Sequence, residues 1–315
     1  MGNRDLSRNL PAKKYSHTNP TELRLSFEFD GNSTQFIDLA RSLSAINRKF
    51  VSQQAYFYVS KVEIYNNEDA FVDLHTVPDT WVTKNAYKRG RAMFEKMNSL
   101  LDPAVSGIAA APYYDFKVYM SDRHRTTGSS DPVTYDINSS PNPEVPDEWD
   151  YSQLVSADDD GDSTQQADNF YLHILGGHNG SAANWSSVGL IKSYGESRTT
   201  VSTFGGSEAA LDITDPIMNL MDNSSEEQLN DIATRLQQDN DVPPYDADVY
   251  VGENLGMVQQ ARLVTTTTLG RTATAPGFCA PLGLICVDPQ NTATAFRLVI
   301  TLAPGTYHGC YAERV

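Results

Sequence analysis

The segment Leu23-Arg24-Leu25-Ser26-Phe27-Glu28-Phe29 alternates apolar and polar residues without a break, which sets Leu23, Leu25, Phe27 and Phe29 on one face of a strand. Asp30-Gly31-Asn32 then reads as a turn. A second run, Tyr56–Tyr65, places Phe57, Val59, Lys61, Glu63 and Tyr65 on one face and Tyr56, Tyr58, Ser60, Val62 and Ile64 on the other. It continues past Asn66-Asn67 into 70–74. The period then changes. Ala86, Gly90, Met93, Met97 and Leu100 recur at helical spacing with Tyr87, Phe94 and Leu101 beside them, predicting a helix that begins near Asp79-Thr80 and stops before Asp102-Pro103. Further strands are expected at 113–120, 169–175, 187–194, 258–268, 278–287 and 295–302. The Ser-, Asp-, Pro- and Gly-rich stretch 121–168 reads as a surface excursion with short strands at 133–137 and 151–155. In a second excursion, 205–256, Ser224 and Glu227 form a capping box that opens a helix carrying Leu229, Ile232, Ala233 and Leu236.

Eight principal strands follow, at 22–30, 55–65 and the six ranges above, without regular crossover helices between them. That pattern argues for an all-β protein, an eight-stranded antiparallel jelly-roll sandwich with helices inserted in inter-strand loops; a double jelly roll is the alternative. Residues 1–20, with Pro11 and Pro20, read as a flexible basic N-terminal arm, and 21–315 as one shell domain with the two excursions on its surface. No repeat of about 20 to 50 residues argues for a propeller or solenoid. The mean hydropathy is −0.42, and no apolar run reaches the roughly 18 residues of a membrane span. Met1-Gly2-Asn3-Arg4-Asp5 lacks the apolar region of a secretory signal. Cys279, Cys286 and Cys310 are odd in number and form no C-x-x-C pair, so reduced, buried thiols are expected.

Charge divides the chain. Residues 1–130 carry 17 Lys and Arg against 14 Asp and Glu, whereas 131–315 carry 7 against 26, giving the overall −16. The basic groups are the arm (Arg4, Arg8, Lys13, Lys14), Arg48-Lys49, the helix face Lys84, Lys88 and Arg91 with Arg89 flanking, and Arg123-His124-Arg125. Such groups neutralise phosphates without reading sequence, so Arg4, Arg8, Lys13, Lys14, Lys84, Lys88 and Arg91 are the candidate nucleic-acid-facing residues. The run Asp158-Asp159-Asp160-Gly161-Asp162 puts Asp158, Asp160 and Asp162 where carboxylates converge on a hard cation, making calcium the candidate ion. It has no distal glutamate of an EF-hand, and a solvated acidic loop is the simpler account. Asp239, Asp241, Asp246 and Asp248 read the same way. The pair His173 and His178 straddles a glycine turn, a poor zinc arrangement. No H-E-x-x-H, G-x-S-x-G, P-loop or G-x-G-x-x-G occurs, so no catalytic residues are assigned and no enzyme is expected.

The segments 169–178 (Asn-Phe-Tyr-Leu-His-Ile-Leu-Gly-Gly-His), 185–194, 239–246 and 277–287 resemble capsid proteins of small icosahedral DNA viruses, especially those known from environmental single-stranded DNA genomes. The resemblance covers roughly the C-terminal half. It implies a jelly-roll subunit, self-assembly into a homo-oligomeric shell in the host cell, and enclosure of a genome, taken to be DNA held independently of sequence. The arm is less arginine-rich than in such capsids and the net charge is negative. Counterions or an internal lipid layer would therefore share the neutralisation. The alternatives carried by the residues alone are a lectin-like β-sandwich binding module, using Trp185, Tyr113 and Tyr114, and a β-sandwich hydrolase.

Overall fold

The computed structural model describes residues 21–31, 33–98, 113–157, 167–181, 184–197, 249–266, 268, 270–290 and 294–304. In chain order the first half contains β1 (Arg24–Phe29), β2 (Gln35–Asp38), α1 (Leu39–Asn47), β3 (Tyr56–Tyr65), β4 (Ala70–Thr76), α2 (Trp81–Asn98), β5 (Tyr119–Ser121), α3 (Asp122–Thr127), β6 (Val133–Tyr135) and β7 (Pro141–Pro143). There follow β8 (Gln153–Ala157), β9 (Ala167–Leu175), β10 (Asn179–Ser181), β11 (Asn184–Gly189), α4 (Leu190–Glu196), β12 (Val258–Thr265), β13 (Thr272–Pro281), β14 (Leu284–Pro289) and β15 (Phe296–Leu302). Most of this is β-strand, and the two largest antiparallel sheets make a sandwich.

The first sheet runs β1-β15-β3-β13 and the second β12-β4-β14-β2, with every neighbouring pair antiparallel. Their facing sides close one core. Leu25, Phe27, Phe57, Ile64, Leu298 and Ile300 come from the first sheet and Ile37, Val72, Leu74, Ile285 and Val287 from the second. A fully buried phenylalanine such as Phe27 or Phe57 contributes on the order of 2–3 kcal/mol by leaving water. The alternation read at β1 holds, with Leu25, Phe27 and Phe29 buried and Leu23 partly so. At β3 it holds for half the strand only. Phe57 and Val59 are buried before Ser60, Val62 and Ile64 after it. Opposite this point β15 shifts register between Thr301, which faces Lys61, and Leu302, which faces Val59. One extra residue in a strand turns every following side chain to the other face.

Between β4 and β12 the described strands include a third sheet in the order β10-β11-β9-β5, with β8 also on β9. Here β9 lies parallel to β5 and β11 and antiparallel to β8. This layer packs on the outer side of the second sheet. Phe36, Leu284 and Cys286 of that sheet share a second core with Ala86, Tyr87 and Phe94 of α2, Leu172 and Ile174 of β9, and Ile191 of α4. The second sheet is consequently covered on both faces. In β14 the consecutive residues Leu284, Ile285, Cys286 and Val287 are all buried, the unbroken apolar run of a doubly covered strand.

Several expected elements differ. The single strand read at 278–287 is two, β13 and β14, in different sheets. Between them Gly283 N–H donates to Ala280 O at 3.1 Å, with Leu282 at φ 59° and Gly283 at φ 70°. Proline at the second position of that turn, Pro281, fits it. The strand read at 187–194 stops at Gly189 and continues as α4. The strand read at 113–120 is reduced to β5. The helix stripe includes Ala86 and Gly90 but not Met93, which is exposed; Tyr87 and Phe94 take its place in the core. The arm 1–20, the acidic loop around 158–162, the helix opened by Ser224 and Cys310 lie outside the described residues.

Candidate functional site

Among the candidate nucleic-acid contacts, Lys84, Lys88 and Arg91 lie on α2, while Arg4, Arg8, Lys13 and Lys14 lie outside the described residues. Thr80 opens the helix, its Oγ1 accepting from Thr83 N–H at 3.2 Å. Residues 79–98 hold five Lys and Arg against Asp79 and Glu95, a local excess of positive charge. Part of it is spent within the protein. Lys84 sits 3.7 Å from Asp79 and over the Tyr56 ring, Arg91 pairs with Glu95 at 2.7 Å, and Arg89 bonds Ser197. Lys88 is exposed and has no ion pair among the described residues. Surface ion pairs such as these contribute at most about 1 kcal/mol, so a phosphate competes with them readily.

Of the triplet Arg123-His124-Arg125 only Arg123 is exposed and without an ion pair among the described residues. Arg125 pairs with Asp122 at 2.8 Å, and the His124 ring is fully buried, stacked on Phe36 with centroids 4.8 Å apart. Its Nδ1 accepts from Met120 N–H at 3.0 Å, which leaves the proton of the neutral ring on Nε2. From there the hydrogen bonds run in one direction. His124 Nε2–H donates to Ser129 Oγ at 2.6 Å, Ser129 donates to Tyr151 Oη at 2.8 Å, and Tyr151 donates to Asp38 Oδ2 at 3.1 Å. Gln53 Nε2 also donates to Asp38 Oδ2 at 3.1 Å, and Arg41 N–H to Oδ1 at 3.1 Å. Burial pushes the Asp38 carboxyl up to about 6 against these donors, and the same cause holds His124 down to about 3. A serine nucleophile needs a base that takes its proton; here the histidine gives one to Ser129. The chain works as a clamp, tying β2 and the start of α1 to α3 and the segment before β8.

None of this network was legible as a site from spacing, because its members are drawn from 38 to 151 and only His124 and Ser129 are near neighbours. Two further groups were missed. Lys117 is nearly buried, its ammonium 4.6 Å from the Trp149 ring centroid and 5.7 Å from that of Phe50, and desolvation lowers its pKa. Cys286 faces His75 across the β14–β4 register at the wall of a cavity of about 360 Å³ that also meets Phe36, Arg123 and Met257. Burial pushes its thiol up to about 12, so it is protonated at neutral pH and no nucleophile.

The two neighbouring histidines are held apart by their own bonds. His173 Nε2 donates to Gly177 O at 2.9 Å and burial lowers its pKa to about 4. His178 Nδ1 accepts from Gly189 N–H at 3.1 Å and its Nε2 meets Glu196 at 3.1 Å. No group of three His, Cys, Asp or Glu that could hold a metal occurs among the described residues, and Asp158, Asp160 and Asp162 are not among them. Of the aromatic residues, Trp185 packs on His178 and Tyr114 stacks on Phe94, while Tyr113 is 66% exposed. Among the described residues no helix is long and apolar enough to cross a membrane. Comparison with known proteins gave no match, neither to a family model nor to a curated protein nor to a solved structure.

Proposed function

We propose that this chain is a viral coat protein with a jelly-roll fold, whose copies assemble into a closed icosahedral shell around nucleic acid. The observation that carries the reading is the strand order. Counted along the chain, the eight sandwich strands run 1-8-3-6 in one sheet and 2-7-4-5 in the other, so that first pairs with last, second with seventh, third with sixth and fourth with fifth. A folded-over antiparallel ladder of this kind supports the reading, because jelly rolls of capsid and lectin domains are built as two Greek keys over eight strands. The long connection between the fourth and fifth strands supplies the third sheet, which has parallel pairs and is not a second sandwich of the same order; this favours one jelly roll over two.

The nucleic-acid part of the reading rests on α2, where Lys88 is unpaired among the described residues, Arg91 pairs with the exposed Glu95, and Lys84 lies between the exposed Asp79 and the Tyr56 ring. The net charge of −16 makes this contact local and dependent on counterions. The experiment is sedimentation of the expressed protein after nuclease treatment. Protected nucleic acid should travel with large particles. Replacing Lys84, Lys88 and Arg91 together by alanine should reduce the protected amount and flatten the dependence of binding on log salt by about 2, at roughly 0.7 per single-strand phosphate contact. Particles that never protect nucleic acid, or an unchanged slope in the variant, would remove this part of the proposal.

A further inference from the structure

At the end of the first sheet where β3 finishes and β13 and β15 begin, a cavity of about 350 Å³ is lined by residues that include Glu28, Tyr65, Asn66, Arg271 and Arg297. Two guanidinium groups belong to it. Arg297 is fixed in place, pairing with Glu28 at 3.3 Å and lying 3.9 Å from the centroid of the Tyr135 ring. Arg271 makes no ion pair among the described residues. With one carboxylate against two guanidinium groups, the cavity holds one positive charge in excess, in a protein that is otherwise strongly acidic.

A second, independent observation comes from Asn66, which is only 4% exposed. Its Oδ1 accepts from Glu68 N–H at 3.3 Å and from Thr294 Oγ1 at 3.4 Å, which fixes the orientation of the amide. Its Nδ2 is buried and has no hydrogen-bond partner among the described residues. A buried amide N–H without an acceptor is costly, and native structures seldom leave one. Asn66 and Arg271 line the same cavity, and both the Asn66 Nδ2 group and the planar fork of Arg271 are donors without an acceptor among the described residues.

We propose that this cavity is an oxyanion-binding site that takes a carboxylate or phosphate group, with Arg271 as the principal cation, Asn66 Nδ2 as the neutral donor and Glu28 as the group that limits affinity. Guanidinium groups bind both oxyanions through paired N–H donors, which is why the chemistry is shared between the two. The site lies away from α2 in the chain and does not depend on shell assembly.

Isothermal titration calorimetry of the full chain with inorganic phosphate and separately with glutarate, each against sodium chloride of equal ionic strength, tests it. Saturable binding of phosphate, glutarate or both is expected, and the stronger of the two names the source. Arg271→Gln, at an exposed position, should weaken that binding at least tenfold, whereas Glu28→Gln should tighten it. The opposite signs separate a binding role from a general loss of structure. No heat beyond the chloride control, or equal binding by wild type and Arg271→Gln, overturns the assignment.

Discussion

The buried run from His124 through Ser129 and Tyr151 to Asp38 decides how this protein responds to acid and to loss of a single hydroxyl. Tyr151→Phe removes the group that donates to the buried Asp38 and accepts from the half-buried Ser129; it should cost about 1–3 kcal/mol, measured by denaturant unfolding. The pH dependence follows from three groups. His124 and His173 are held at about 3 and about 4, below the ordinary 6.5, so the native rings stay neutral while the unfolded chain takes up protons. The stability they contribute is therefore present above about pH 6.5 and is lost as pH falls toward 4 and 3. Asp38, raised from 3.8 to about 6, acts in the opposite direction and regains stability as pH falls through that window. Between pH 6 and 4 the two histidines exceed the one carboxylate by one proton, about 1.4 kcal/mol per pH unit. His124→Gln should flatten the acid limb of the stability curve by that amount; parallel curves for the two proteins would refute the assignment. Sequence could not announce this site. His124 lies between two arginines in a polar run, and Tyr151 reaches Asp38 across 113 residues of chain.

At the scale of elements, the sequence was readable where burial is one-sided and opaque where it is not. β1 alternates because only one of its faces is covered. β3 defeats the same reading at Ser60, where the register shift exchanges faces. β14 reads as a continuation of β13 because both of its own faces are buried and the turn between them, with a leucine at positive φ, carries an unusual residue for that position. α4, of seven residues, is too short to show a helical period and depends on the packing of Leu190 and Ile191. Two glycines show how closely these layers meet. A Cβ at Gly90 would come within 2.9 Å of Leu190 Cδ2, the movable end of a side chain, and alanine also gains about 1 kcal/mol of helix propensity. At Gly189 it would stand 2.1 Å from Gly176 O, a backbone atom that cannot turn aside. Gly90→Ala should thus be nearly neutral in thermal unfolding, and Gly189→Ala destabilising by about 3 kcal/mol or more, the range of severe backbone and packing lesions. Equal effects would mean that the β9–β11 crossing is looser than described.

For the whole molecule, the dominant fact is a net charge of −16 on a subunit that the proposal requires to meet copies of itself. The charge division along the chain was plain in the sequence, but its consequence was not, since among the described residues Lys84, Arg91 and Arg125 are ion-paired and His124 is buried and neutral. Like-charged subunits repel over a Debye length that shrinks from about 30 Å at 0.01 M salt to about 8 Å at 0.15 M. Assembly should therefore be weak in dilute buffer and stronger as salt rises toward physiological strength, before high salt releases the nucleic acid. Electron microscopy of the purified protein across that salt series tests the coat-protein account most directly. Closed shells of uniform diameter, scarce at 0.01 M and abundant at 0.15 M, are the predicted result; single subunits at every salt concentration, with and without added nucleic acid, would contradict it.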